Sequence, residues 1–495
     1  MRSSARVAGA IVLGDAERDR RANVHAMSAF GRVIASCCLA AMLAACATYT
    51  PAPLDPAQSA AEFAQRRLDA PELRDELERV LPQTISAWPP SEWNRAELLA
   101  VAIAQNHQLA VARAEIEASL AHEIGAAQVA NPTLGLQSEY ARREPQHWLY
   151  GLSFEFLLRQ YGARRLEIEL ARQETQGARA QLMERTWDVR RALIAALSDG
   201  ENARRRLEIL ARLGDAQDRL VALQQQRVAA GEDVPSDLVL ATSARIEIEQ
   251  QQAQARADAT AAQAAVAAAL GLPPAALDGV AITWPDWGEP PRLADETLRT
   301  AREQALLSRA DLAAAIGEYA QAETKLEVAI ARQYPQFEFK PGYYWDHGIA
   351  KWPLDVAFAL PLFNRNQGEI AEATAGRELA AQRMLALQAQ IYGEIEAAAS
   401  SEGVARESMD AAKRRNESAQ QQLRHSDLAL RLGALDRMER TGAEALALRA
   451  ELEAVQARAA VQAARNAVED ALHAPLSGPE LALATSPPAD SGADR

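Results

Sequence analysis

Two short stretches decide the fold of this chain: Asn131–Tyr140, which reads NPTLGLQSEY, and Tyr334–Tyr344, which reads YPQFEFKPGYY. Each stretch has a proline at its second position, Pro132 or Pro335, which follows a long proline-free segment. Apolar and polar residues then alternate along the stretch. Alternation with a period of two predicts β-strands that have one apolar and one polar face. The sequence therefore predicts strands inserted between helices, and it predicts them twice.

The two halves of the chain repeat the same features at an almost constant offset. The paired landmarks are Pro132 and Pro335, Leu158 and Leu362, Gly231 and Gly433, and Leu270 and Leu472. Such constancy indicates an internal repeat of about 200 residues, which is far longer than a solenoid unit. We therefore expect a duplicated domain.

Four alternating segments are predicted as strands, at 133–140, 150–157, 336–344 and 352–360, with polar hairpin tips at 141–146 and 346–351. Each is about as long as a strand that crosses a membrane. Apolar residues on one face and charged residues on the other are typical of an outer-membrane barrel. Four strands cannot close a barrel, and open edges are not tolerated in lipid. Two, three or four chains sharing one barrel would give 8, 12 or 16 strands.

The helices between these strands are long and free of proline. We expect them at 163–230 and 366–432, each about 100 Å long at 1.5 Å per residue. Gly231 and Gly433 then end them, and shorter helices return at 236–270 and 436–472. Leucines recur at near-heptad spacing in the first, which predicts a coiled-coil seam. The helices alone would also fit a plain coiled-coil rod, but the strands oppose that interpretation.

Composition supports helices packed through small residues. The chain has 495 residues, 48% of them hydrophobic but only 5% aromatic, and a net charge of −14. This acidity argues against nucleic acid as a partner, because phosphate binding needs a basic face. The cysteines all lie near the N-terminus and the seven histidines are scattered. We therefore expect no metal site and no cofactor.

The N-terminal segment resembles a bacterial lipoprotein signal. Residues 27–45 carry a short apolar run, too short to span a bilayer, and it ends in Leu43-Ala44-Ala45-Cys46. Cys46 is the predicted lipidation site, and more than one acyl chain, palmitate included, gives stable anchoring. Residues 1–26 are expected to be a start-site extension. The alternative is a chance LAAC in an alanine-rich sequence.

At this point the chain resembles the TolC family of outer-membrane efflux channels. The resemblance covers about 91–475 and rests on the repeat, the two proline junctions, the two glycine turns and the segment 359–368. It implies a mainly α fold with a small β contribution: a homotrimer with a 12-stranded barrel in the outer membrane of a Gram-negative bacterium and a periplasmic tunnel of 12 helices. The partners implied are a periplasmic adaptor and an inner-membrane pump of the RND type.

Within this family, Pro361–Gly368 is most similar to heavy-metal members of the CzcC and CusC type. The lipid anchor fits the lipoprotein branch. The expected function is passive export of metal ions or small toxic compounds, without enzymatic activity. No P-loop, GxSxG or HExxH motif is present. The competing hypothesis is a lipid-anchored scaffold or adaptor without a pore.

The domain boundaries follow from these features. The start extension and signal peptide occupy 1–45, and a lipid-anchored segment occupies 46–90. The first repeat covers 91–272, a linker covers 273–292 and the second repeat covers 293–475. Residues 476–495 are rich in proline, alanine, serine and aspartate, and we expect them to be disordered.

The resemblance also places a gate at the periplasmic tip, where acidic residues six positions after each turn glycine ring the aperture. Asp237 and Glu439 hold these positions, and three copies of each would attract cations. The alternative is that both acids only stabilise a helix N-terminus. Leu435 stands where an arginine latch can occur in the family, so opening relies on other contacts.

The polar face of the strands supplies candidate residues for the barrel lumen. These are Glu139, Glu155, Glu338, Lys340 and Asp355. The alternative for all five is simple solvation inside a wet barrel, with no part in conduction.

Overall fold

A computed structural model describes residues 49–81, 87–158, 162–292 and 294–481. The chain divides into a short N-terminal unit that ends at Glu62 and a large unit that begins at Phe63. In the short unit, the Asp55 carboxylate accepts a 2.9 Å hydrogen bond from the Ala57 N–H at the start of helix α1. Cys46 and the predicted signal peptide lie outside the described residues.

The elements of the described chain follow the predicted order twice. The helices are α1 (Pro56–Ala64), α2 (Pro71–Val80), α3 (Arg95–Gln105), α4 (His107–Ala127), α5 (Ala163–Ala229), α6 (Pro235–Leu270), α7 (Asp295–Ser308), α8 (Ala310–Ala331), α9 (Gln367–Arg431) and α10 (Arg437–Leu472). The strands are β1 (Thr133–Tyr140), β2 (Trp148–Leu158), β3 (Phe337–Asp346), β4 (Ile349–Lys351) and β5 (Leu354–Phe358). The fold is therefore mainly α with a small β contribution.

The two long helices end in the same way. Gly231 and Gly433 both adopt a positive φ, of 75° and 71°. At the first turn, the Glu232 N–H donates a 2.9 Å bond back to the Arg227 carbonyl, and the second turn has the equivalent bond at 2.8 Å. Glycine is favoured here because a side chain makes the left-handed region costly. The duplication thus extends to the backbone geometry of the helix ends.

The strands form one antiparallel sheet in the order β1-β2-β3, and β3 then pairs with both β4 and β5. The first hairpin aligns Leu134 with Phe154, and the central pairing aligns Phe156 with Phe339. Strand β2 of the first repeat therefore hydrogen-bonds directly to strand β3 of the second. The two repeats are joined at the sheet as well as through their helices.

The second hairpin differs from its predicted form. One strand was expected at 352–360, whereas the structure has two short strands, β4 and β5, that flank Trp352 and Pro353. Proline lacks the N–H that a strand ladder needs, so the ladder is interrupted there. The polar tip expected at 346–351 is also shorter, because His347 and Gly348 alone make the turn, both with positive φ.

The core of the large unit lies between the helices of the first repeat and α10. Its most deeply buried large side chains include Leu98, Leu109, Leu193, Leu210 and Leu270. A smaller cluster around Leu312, Ile391 and Ile395 holds the second repeat together. Alanines line both clusters, so the helix axes can approach closely.

The inter-repeat linker is bound to both repeats by buried polar contacts. The Trp287 indole N–H donates to the Ser198 hydroxyl of α5 at 3.1 Å, and the Gly288 N–H donates to the Gln462 side chain of α10 at 3.2 Å. Arg465 of α10 donates to the carbonyl of Pro291 at 2.7 Å. The linker is thus an ordered part of the fold.

The ordered C-terminal segment extends further than expected. Residues 476–481 lie within the described chain, and the Glu480 carboxylate is buried 3.4 Å from the Arg95 guanidinium of α3. Disorder was predicted from residue 476 onward, and this start is wrong because the Glu480–Arg95 contact fixes the segment. Residues 482–495 lie outside the described chain.

None of the helices in the described part of the chain has an apolar stretch sufficient to cross a membrane.

Candidate functional site

All five charged residues proposed for the barrel lumen lie on one face of the sheet. The register places Thr133 opposite Glu155 and Lys340 opposite Asp355, and opposite residues of an antiparallel pair share a face. The Lys340 ammonium is also 3.7 Å from the Glu155 carboxylate. The structure therefore groups these side chains. Their part in conduction stays a prediction.

The other face of the sheet is apolar and exposed to solvent in the single chain. Leu136 is 77% exposed. The exposed apolar residues of this face include Leu134, Leu136, Tyr140, Trp148, Tyr150, Leu152, Phe154, Phe156, Phe337, Phe339, Leu354, Val356 and Phe358. A patch of this extent indicates an apolar partner, because soluble surfaces rarely carry one.

The edges of the sheet are open within the described residues. Strand β1 pairs only with β2, and β4 and β5 pair only with β3. Each edge therefore presents a row of backbone N–H and C=O groups that another strand can pair with.

At the opposite end of the long helices, the two predicted gate acids have different surroundings. Asp237 is exposed in the first turn of α6. Glu439 is also exposed, but its carboxylate accepts a 3.0 Å bond from the Asp436 N–H, and the Asp436 carboxylate accepts one of 2.7 Å from the Glu439 N–H. This reciprocal arrangement is a capping box. The capping box fits the helix-stabilising alternative for Glu439, and the part of both acids in a gate stays a prediction.

An ion pair joins the two helix turns at this tip. The Arg227 guanidinium of α5 lies 2.9 Å from the Asp233 carboxylate and 3.1 Å from that of Asp436. The latter contact links the first repeat to the second. The family resemblance suggests a latch arginine after the Gly433 turn, at the position that Leu435 occupies. The arginine that links the repeats is instead Arg227, which lies before the Gly231 turn and was not predicted.

Two further pairs continue this link along the helices. Arg219 of α5 lies 2.9 Å from Glu444 of α10, and Arg212 lies 2.5 Å from Glu451. From Arg227 to Arg219 to Arg212 the steps are 8 and 7 residues toward the N-terminus. From Asp436 to Glu444 to Glu451 they are 8 and 7 residues toward the C-terminus. The three pairs therefore form a ladder between antiparallel helices. We call the pairs Arg227–Asp436, Arg219–Glu444 and Arg212–Glu451 the inter-repeat ladder. This matching spacing is the signal in the sequence that could have revealed it.

No protein-family model and no curated protein matches this chain. Solved structures do match, each with a probability of 1.00. The outer-membrane channel OprN is 18% identical over 87% of this chain and 98% of its own, with a TM-score of 0.63.

Two other solved structures agree with this match. VceC, an outer membrane protein from Vibrio cholerae, is 18% identical over 77% of this chain and 97% of its own, with a TM-score of 0.62. CusC, whose crystal structures concern transmembrane channel formation, is 16% identical over 80% of this chain and 96% of its own, with a TM-score of 0.62. The chain therefore has the fold of the TolC-type outer-membrane channels.

Proposed function

We propose that this protein is an outer-membrane channel that passively exports small solutes as one part of a tripartite efflux system. The observation that carries this proposal is the two-faced sheet, apolar on one side and charged on the other, at one end of long helical hairpins. A lipid environment would cover the apolar face, and a water-filled lumen would solvate the charged one.

The open sheet edges support a shared barrel. Strands β4 and β5 lie in line along β3, so one chain supplies a sheet four strands wide. Three chains would close a barrel of 12 strands and leave no unpaired edge in lipid. The scaffold hypothesis offers no partner for these edges or for the exposed aromatic face.

We also propose a periplasmic adaptor and an inner-membrane pump as partners, since a passive channel has no energy source of its own. Metal ions and small toxic compounds are the two substrate classes proposed. Complementation of a metal-sensitive strain and of a drug-sensitive strain distinguishes these two classes.

The channel proposal is tested by planar-bilayer recording of the purified full chain. We expect cation-selective conductance, and we expect replacement of Asp237 and Glu439 together by alanine to lower that selectivity, because two rings of negative charge disappear from the tip. The matched control replaces Glu296 and Glu303, exposed acids of α7.

Two results of this recording would contradict the proposals. An unchanged reversal potential in the double variant would remove both acids from the pore. Absence of any conductance from protein that is inserted in the bilayer would favour the scaffold hypothesis.

Anchoring is proposed through a lipid on Cys46, and its test is separate. Cys46→Ser should remove the mass of the acyl chains and leave the folded channel, because the described helices and strands begin after it, at Pro56. Intact mass spectrometry of membrane-extracted protein measures this change. Equal masses, apart from the substituted atom, would refute the lipid anchor.

A further inference from the structure

Three side chains that no channel feature uses converge between the repeats. They are Glu184 of α5, Asp311 of α8 and His473, which directly follows α10. One donor atom of each lies within 4.8 Å of the other two. The Glu184 Oε2 and His473 Nδ1 atoms are 3.6 Å apart. The residues are 127 and 162 positions apart in the sequence, so no local motif announces them.

Two of these donor atoms are buried and have no hydrogen-bond partner. The His473 side chain is only 8% exposed, and its Nδ1 atom makes no hydrogen bond within the chain. The Glu184 side chain is 32% exposed, but its Oε2 atom is itself buried and has no hydrogen-bond partner within the chain. Buried polar atoms are normally satisfied, so two that face one another at 3.6 Å are available to bind one shared partner.

The neighbouring groups hold Asp311 and His473 in place. Arg309 donates to both oxygens of Asp311, at 3.0 and 2.7 Å, and the Leu312 N–H donates to one of them at 2.8 Å. The Trp187 ring stacks on His473 with centroids 5.3 Å apart. Hydrogen bonds and packing of this kind orient the ligands of metal sites.

The local charge balance favours a cation despite the presence of Arg309. Acidic side chains outnumber arginines around the three residues. The acids are Glu184, Asp188 and Asp311, and the arginines are Arg191 and Arg309. Burial and Arg309 lower the pKa of His473 to about 4, so its imidazole is neutral at neutral pH. Neutral imidazole is the form that ligates metal ions.

The imidazole has no counterpart at the equivalent position of the first repeat. His473 corresponds to Gly271, and both residues end their helices with a positive φ. Both helix ends are also bound by a side-chain donor. In the first repeat the Asn106 side chain donates to the Ala269 carbonyl, and in the second the Arg309 side chain donates to the Ala471 carbonyl. Glycine is the residue such a position favours, and the second repeat places an imidazole there instead.

We propose that Glu184, Asp311 and His473 bind one divalent transition-metal ion, for which Zn²⁺ is the fitting example. Zinc ligands at 2.0–2.2 Å in a tetrahedral arrangement lie roughly 3.4 Å from one another, close to the Glu184–His473 distance. Two carboxylate oxygens and one imidazole nitrogen form a zinc-type donor set. The bound ion would tie α5 of the first repeat to α8 and α10 of the second, and it is a fixed part of the fold rather than exported cargo.

The test is zinc content and thermal stability of the full-length purified protein. After treatment with EDTA and re-equilibration with Zn²⁺, we expect about one zinc per chain by elemental mass spectrometry. Glu184→Gln and His473→Asn should each bind zinc at least tenfold more weakly. Asparagine tolerates a positive φ, so His473→Asn keeps the end of α10.

A matched control separates this site from adventitious histidine binding. His122 also faces a carboxylate, Glu174, at 3.0 Å, but it is 63% exposed and no third ligand joins the pair within the described residues. His122→Asn should bind zinc as the unmodified protein does. Added zinc should raise the melting temperature of the unmodified protein and of His122→Asn, and it should not raise that of Glu184→Gln or His473→Asn.

Two outcomes would overturn the proposal. One is the absence of bound zinc in the unmodified protein. The other is equal zinc binding by His473→Asn or Glu184→Gln. A variant that fails to fold is recognised by its low melting temperature without zinc, and the second variant then decides. Failure of this site would leave bilayer conductance unaffected, so it is distinguishable from failure of the channel proposal.

Discussion

Replacing Glu402 by glutamine should destabilise the protein by about 3–5 kcal/mol, the typical cost of leaving a buried charge without its partner. Arg465 is 1% exposed and donates to the Glu402 carboxylate from two nitrogens, at 3.1 and 2.7 Å. Arg406 donates to the same oxygen at 2.6 Å. Glutamine keeps the shape but removes the charge that both arginines share.

The same cluster supports the linker, so the effect should extend beyond the ion pair. Both arginines also donate to the carbonyl of Pro291. The measurement is thermal unfolding of the detergent-purified protein, with Glu296→Gln as the control. Glu296 pairs with Arg299 in an exposed position, where solvent screens the charges and loss of the pair should change stability little. Equal melting temperatures for Glu402→Gln and the control would contradict the prediction.

Replacing Trp287 by alanine should cost a similar amount, about 3–5 kcal/mol, for a different reason. Trp287 is 2% exposed. The loss combines apolar burial with the cavity that the ring leaves behind. The Arg205 guanidinium, 4.7 Å from the ring centroid, also loses its aromatic partner.

A second substitution separates ring packing from hydrogen bonding. Ser198→Ala removes only the acceptor of the indole N–H, so it should cost about 1–3 kcal/mol. Both variants are compared by thermal unfolding under the same conditions. If Ser198→Ala were as damaging as Trp287→Ala, the linker would be held by its hydrogen bond and not by the packed ring.

Much of the fold could be predicted because glycine and proline mark its boundaries. The long helices were expected at 163–230 and 366–432, and the structure has them at Ala163–Ala229 and Gln367–Arg431. Strand β1 has the predicted bounds. These boundaries depend on local backbone preferences, which a sequence displays directly.

The parts that escaped prediction depend on contacts between distant residues. Arg227 and Asp436 are 209 positions apart, and Arg190 and Glu469 are 279 apart. Whether two such side chains meet depends on how each helix is rotated about its axis. The common face of the charged side chains in the sheet was easier to predict, because strand alternation alone assigns a residue to a face.

The inter-repeat ladder has a consequence for how the tip can move. Sliding α10 along α5 by seven residues, about 10.5 Å, would set Arg212 opposite Arg458 in one direction and Arg219 opposite Arg437 in the other. Each displacement would keep only one arginine–carboxylate contact, Arg219 with Glu451 or Arg212 with Glu444, and would add a contact between two arginines. Of these three alignments, only the observed one sets all three arginines of the ladder against carboxylates. We therefore expect the tip to widen by splaying or rotation of the hairpins rather than by one hairpin sliding past the other.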